Sequence, residues 1–185
     1  RNNDMIKSML AHHDESVHKM LPIWSHYANE NWCMIGYHAT SVIADALVKN
    51  VGDFNTSRAL QASVNTASVR YFDGLGDYID YNYVPDDKSH SSVSKTLEYA
   101  YNDWCIARIA SQVGDSAVEN EFMIRSEFYK NVYDPSIGYM RPKLANGNFR
   151  DDFDYAYHGL SIYFQYLRDS SLRYRRVVKT KNKWI

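Results

Sequence analysis

The chain has 185 residues, 45% of them apolar, and its 22 acidic and 21 basic side chains leave a net charge of −1. That length can bury a substantial core as one domain. No apolar run is long enough to span a membrane and none reads as a leader segment.

Taken in chain order, the pattern predicts helices in succession and little strand. Residues 3–11 read as a short helix, interrupted by a polar stretch through Glu15, where His12, His13 and His18 suit a solvated helix end. A stronger helix is expected over 34–50, with Ile35, Ala39, Val42, Ala46 and Val48 near one side and Gly52 just beyond its end. Thr56 can cap a helix running to about residue 69. Residues 71–89, with Gly74, Gly76 and Pro85, read as a long loop carrying Tyr78, Tyr81 and Tyr83, and loops carry function disproportionately. The clearest element is a helix over 91–113, stopped by Gly114. Val93, Leu97, Ala100, Trp104 and Ala107 recur at alternating steps of four and three along one stripe. Tyr101, Cys105, Ile109 and Val113 form a neighbouring face, widened by Ile106 and Ala110. A helix apolar on most sides is buried between others. Asp115 or Ser116 can cap the next helix, reaching about Tyr133 before Asp134-Pro135 breaks it. Residues 138–147 are turn-rich, and a last helix is expected over 159–168. The whole predicts an all-α fold of antiparallel helix hairpins, part of a helical toroid.

Cys33 and Cys105 lack metal-ligand spacing and imply no disulfide; both read as free thiols buried in apolar helices. Near the C-terminus, seven Arg and Lys from Arg168 to Lys183 oppose Asp169 alone, a net of +6, which leaves about −7 before Arg168. No base-reading motif accompanies this basic end, so no nucleic-acid partner is expected.

Glu98 sits at the edge of the apolar surface of the 91–113 helix, with Tyr101 and Asn102 one turn later. A surface pair with Lys95 would be worth about 0.2–0.5 kcal/mol. The other reading is a carboxyl placed for proton donation, and periodicity alone favours the pair. Asp103, five residues on, falls on the opposite side of the helix and reads as an exposed or capping-network carboxylate.

Residues 92–107, SVSKTLEYAYNDWCIA, closely resemble a signature of glycoside hydrolase family 92, the calcium-dependent exo-alpha-mannosidases. Further segments agree in order: Leu21-Pro22-Ile23-Trp24, Asn29-Glu30, Cys33-Met34-Ile35-Gly36-Tyr37-His38-Ala39, Val42-Ile43-Ala44-Asp45-Ala46 and Tyr83-Val84-Pro85-Asp86-Asp87-Lys88 before the signature or leading into it. Tyr129-Lys130-Asn131, Asp134-Pro135 and Gly138-Tyr139-Met140-Arg141-Pro142 follow it. The resemblance covers roughly residues 3–152, and so many ordered matches are far more specific than one motif.

The resemblance implies a six-hairpin (α/α)6 toroid, of which this chain would hold about half. Residues 1–152 would be part of the catalytic domain, and 153–185 a divergent basic segment, read as a truncation or frame artefact. It implies hydrolysis of terminal alpha-linked mannose with inversion, with an alpha-1,2 type of exo-alpha-mannosidase expected and an association with N-glycan processing. Glu98 would be the general acid. The base aspartate and the calcium ligands belong to later motifs that this sequence does not contain, so calcium is implied but no metal ligand is assigned here. Asp151, Asp152 and Asp154 could suit a hard cation, yet their spacing matches no calcium loop and reads as a solvated acidic turn. His38, Tyr83 and Trp24 are candidates for contacts to the sugar; a helical histidine is also commonly a hydrogen-bonded core residue, and Trp24 and Trp32 could equally be explained by packing. The expected partners are a mannose-containing glycan and the missing remainder of the catalytic domain, in an extracytoplasmic setting. Beginning at Arg1, the chain reads as a piece of a longer protein, inactive alone and self-associating through uncovered apolar faces. The alternatives are a noncatalytic scaffold or carbohydrate-binding remnant of such an enzyme, or another toroid enzyme such as a glucanase or lyase.

Overall fold

The computed structural model describes residues 1–27, 29–151 and 153. Asp152, Asp154, the expected helix at 159–168 and the basic terminal segment lie outside the described residues. Helix α1 (Asn2–Glu15) is one unbroken helix, with Ile6, Leu10 and His13 buried along one face. Its polar end stays helical because it is tied to α3 (Thr56–Thr66). His13 is buried, receives the Asn65 side-chain amide at 3.3 Å and sets its other ring nitrogen 3.0 Å from Asp14. Asp14 pairs in turn with Arg58. The expected solvated histidine is therefore an inter-helix contact.

After α1 the chain makes a short antiparallel ladder of β1 (Ser25–His26) and β2 (Asn29–Glu30). Glu30 is buried and accepts the backbone N–H groups of Ile23 (2.6 Å), Trp24 (3.0 Å) and Trp32 (3.0 Å), so it fixes backbone. Helix α2 (Ala39–Val48) begins later than its apolar pattern suggests. Gly36, at φ +91°, turns the chain just before it, in a conformation that L side chains rarely adopt. Cys33 consequently lies on an exposed turn rather than in a helix. Cys105 is buried as expected, and burial pushes its thiol up to about 12.

Asn55, one residue before Thr56, caps α3 by accepting the Arg58 N–H at 2.9 Å. The expected loop at 71–89 contains a seven-residue helix, α4 (Leu75–Tyr81), and Tyr78 is in the core rather than on a loop surface. Helix α5 (Ser92–Val113) is the centre of the fold: 15 of its 22 residues are buried, and it packs against α2, α3 and the helix that follows it. Gly114 ends it at φ +84°, as the sequence indicates. Helix α6 (Ser116–Arg125) is capped by Asp115, which accepts the Val118 N–H at 3.1 Å. It stops before Tyr133, giving way to a 3-10 turn at Phe128–Val132 and the ladder of β3 (Tyr133–Asp134) with β4 (Tyr139–Met140).

The main apolar core joins α1, α2, α3, α5 and α6 through residues such as Leu10, Ile43, Leu60, Ile106 and Phe122. A smaller cluster of Tyr83, Val93, Leu97 and Val132 lies on the N-terminal half of α5. No helix among the described residues is long and apolar enough to cross a membrane.

Candidate active site

Most polar side chains of the α5 signature are turned to structural use. Ser92 donates to the Asp86 carboxylate at 2.8 Å. Lys95 is buried and donates to Asp73 (2.6 Å) and the Ser89 hydroxyl (2.8 Å). Thr96 accepts the Val84 N–H at 2.9 Å, and the Tyr99 hydroxyl donates to the Asp73 carbonyl at 2.8 Å. These bonds fasten the 73–89 segment onto α5. They also correct the Lys95–Glu98 surface pair: a buried ammonium costs several kcal/mol unless matched, and Asp73 supplies that match.

One turn later, Asp103 is fully buried, not exposed. It accepts the Tyr37 hydroxyl at 2.5 Å and the Tyr78 hydroxyl at 2.9 Å, while Arg125 spans it from Nε (3.0 Å) and a terminal guanidinium nitrogen (3.2 Å). Burial pushes its carboxyl above the ordinary range, against the pull of Arg125 and the two tyrosines. Burial likewise raises the phenols of Tyr37 and Tyr78, with the Asp103 charge adding to it. With both oxygens engaged, Asp103 is not placed to activate a water.

That anchor fixes the Gly36-Tyr37-His38 turn. The Tyr37 ring stacks on Tyr99, centroids 5.5 Å apart and planes 15° from parallel, and its backbone N–H donates to Asn102 Oδ1 at 2.7 Å. A Cβ on Gly36 would lie 2.8 Å from the His38 ring and 2.9 Å from Asn102 Oδ1, so only glycine lets these groups close together. The other end of the Asn102 amide meets His38 Nδ1 at 3.1 Å, and His38 Nε2 faces Glu98 Oε2 at 3.6 Å. The Glu98 and His38 side chains retain 16% and 31% exposure. Tyr101, beside them on α5, is pushed up to about 12, chiefly by partial burial, with Cys105 and then Glu98 adding to it; it is a neutral phenol at neutral pH.

The structure thus brings two of the expected site residues, Glu98 and His38, into contact. Tyr83 is 6% exposed; its hydroxyl donates to the Leu144 carbonyl at 2.7 Å and Lys143 sits 5.2 Å over its ring. Trp24 is 57% exposed on the segment held by Glu30. Trp32 is also exposed, part of an open aromatic group with His18 and Tyr71. Sequence reasoning passed over Gly36 and Arg125 as site supports, and it set Asn102 near Glu98 without its hold on Tyr37 and His38. Asn102 had a usable signal, since it lies four residues after Glu98 on the same helical face. Among the described residues no group of three or more His, Cys, Asp or Glu side chains could hold a metal ion. The described residues therefore do not fit a carboxylate-built calcium site.

Residues 1–181 match the family model described as the glycosyl hydrolase family 92 catalytic domain. Among solved structures, the chain is similar to a family GH92 alpha-mannosidase from Bacteroides thetaiotaomicron, at 49% identity and a TM-score of 0.81 over 85% of this chain and 21% of that one. The same mannosidase in complex with mannoimidazole matches equally well over 86% of this chain. A family GH92 inverting mannosidase of that organism is 33% identical, with a TM-score of 0.73, over 80% of this chain and 21% of that one. An uncharacterized secreted glycosidase of Arthroderma benhamiae is 28% identical over 142 residues, 62% of this chain and 18% of its own length. The chain therefore spans about a fifth of the length of these relatives. The structural likeness bears out the expected fold, an all-α part of a helical toroid.

Proposed function

The chain belongs to glycoside hydrolase family 92, and from that premise we propose that it is part of a longer inverting alpha-mannosidase in which Glu98 protonates the departing glycosidic oxygen. The observation that carries this is selective exposure. Ser92, Lys95, Thr96, Tyr99 and Asp103 are buried in structural bonds, while the Glu98 side chain keeps 16% exposure beside the His38 ring.

In this reaction the C1–oxygen bond breaks as the Glu98 proton moves to the leaving oxygen, and water adds to the opposite face of the sugar. A second carboxylate, roughly 6.5–9.5 Å away in inverting enzymes, activates that water. We assign this base, and the calcium ligands implied by the family, to the remainder of the protein. Residues 1–152 form part of its catalytic domain in this proposal, and the 185-residue chain alone is inactive. Trp24 and Tyr83 remain candidates for sugar contacts, Trp24 because its ring stands open. The substrate class is a mannose-terminated glycan, first among them alpha-1,2-linked ones as in N-glycans, met outside the cytoplasm as the secreted fungal relative suggests.

The test uses the full reading frame in calcium-containing buffer, with an alpha-1,2-mannobiose and alpha-mannosyl fluoride as substrates. General acids contribute about 10²–10⁴-fold, so Glu98→Gln should lose disaccharide hydrolysis by that order. It should keep turnover of the fluoride, which leaves without a proton. Undiminished disaccharide hydrolysis in Glu98→Gln would overturn the role.

A further inference from the structure

We propose that His38 is a positioning residue for Glu98, set by Asn102 in the tautomer that carries its proton on Nε2. The inference rests on Glu98 being the general acid. Its geometry starts from Tyr37, whose backbone N–H donates to Asn102 Oδ1 at 2.7 Å. That bond decides which way the amide points, because an NH2 group there would leave two donors facing each other. The Asn102 NH2 is then the group 3.1 Å from His38 Nδ1. An amide NH2 only donates, so Nδ1 must offer its lone pair and the neutral ring carries hydrogen on Nε2. Nε2 is the atom that faces Glu98 Oε2, at 3.6 Å.

That separation is longer than a hydrogen bond, and contacts of this kind tighten when substrate binds. The ring has little room to turn away, since Gly36 backs it so closely that even a Cβ would collide. An N–H directed at Oε2 makes that oxygen the acceptor of the carboxyl. The acid form therefore carries its proton on Oε1. When the proton passes from Oε1 to the glycosidic oxygen, the electron pair of the C1–oxygen bond goes to the leaving oxygen. The carboxylate left behind still accepts from His38. The histidine gives up no proton in this step; it selects the oxygen that does.

In the full-length protein, His38→Leu should lower kcat on alpha-1,2-mannobiose by about 10- to 100-fold, the scale of a misplaced catalytic group. KM should change little and alpha-mannosyl fluoride turnover should be kept. His38→Gln, which can present an amide N–H in the same direction, should recover part of the loss. Equal losses on both substrates, a loss confined to KM, or no loss would overturn the inference. If Glu98→Gln spares the fluoride while His38→Leu leaves disaccharide hydrolysis intact, only the inference falls. If Glu98→Gln impairs both substrates alike, the general-acid reading falls and takes it along. Independently of activity, 15N-histidine labelling of the same protein should report His38 as the Nε2–H tautomer; an Nδ1–H signature would overturn the proposal even if every variant misfolded.

Discussion

Glu98 and Asp103 stand five residues apart on one helix and illustrate how burial divides the work of two carboxylates. Asp103 is enclosed by Arg125, Tyr37 and Tyr78, each directing a donor at it. Glu98 keeps access to solvent and lies 3.6 Å from the His38 ring. The motif made Glu98 legible in the sequence. Asp103 was misread because its cation, Arg125, is 22 residues away and its tyrosines 25 and 66 residues away, beyond what helical spacing can reveal. Removing one partner of a buried pair strands the other charge, at about 3–5 kcal/mol. Arg125→Met should therefore lower stability by that amount in urea unfolding. It should also loosen the Tyr37 turn that presents His38.

At the scale of elements, α5 was readable in full because 22 residues of sustained periodicity and a terminal glycine leave little ambiguity. Helix α4 was not, since seven residues set between Gly74 and Asn82, both in the left-handed region, look like punctuation in a loop. The start of α2 was misplaced for a related reason: the apolar pattern runs on through a turn that Gly36 imposes. The likeness of Lys95 to an ordinary surface lysine hid its role as the peg between α5 and the 73–89 segment. Lys95→Met should cost about 3 kcal/mol by leaving Asp73 without its cation. The loss should be regional, with faster amide exchange across 73–89 than across α6. Uniform acceleration over both would show that the peg acts on the fold as a whole instead.

For the whole molecule, the succession of helices was readable, and the packing of α2, α3 and α6 around α5 turns it into a core. The outer surface is less closed. Trp24, Tyr27, Tyr71 and Ile124 are all large, apolar and exposed, and exposed apolar surface promotes association. The 185-residue chain prepared alone should accordingly self-associate with rising concentration in sedimentation velocity, while a strictly monomeric profile would count against that expectation. The neighbours of α5 also carry a kinetic consequence. They are encoded between Ala39 and Val132, a short stretch by the standards of the relatives. Domains emerging from the ribosome fold as their contacts become available. The helix bearing Glu98 can thus be enclosed soon after Val132 has been synthesised, which would make it an early nucleus on which later parts of the toroid are laid down.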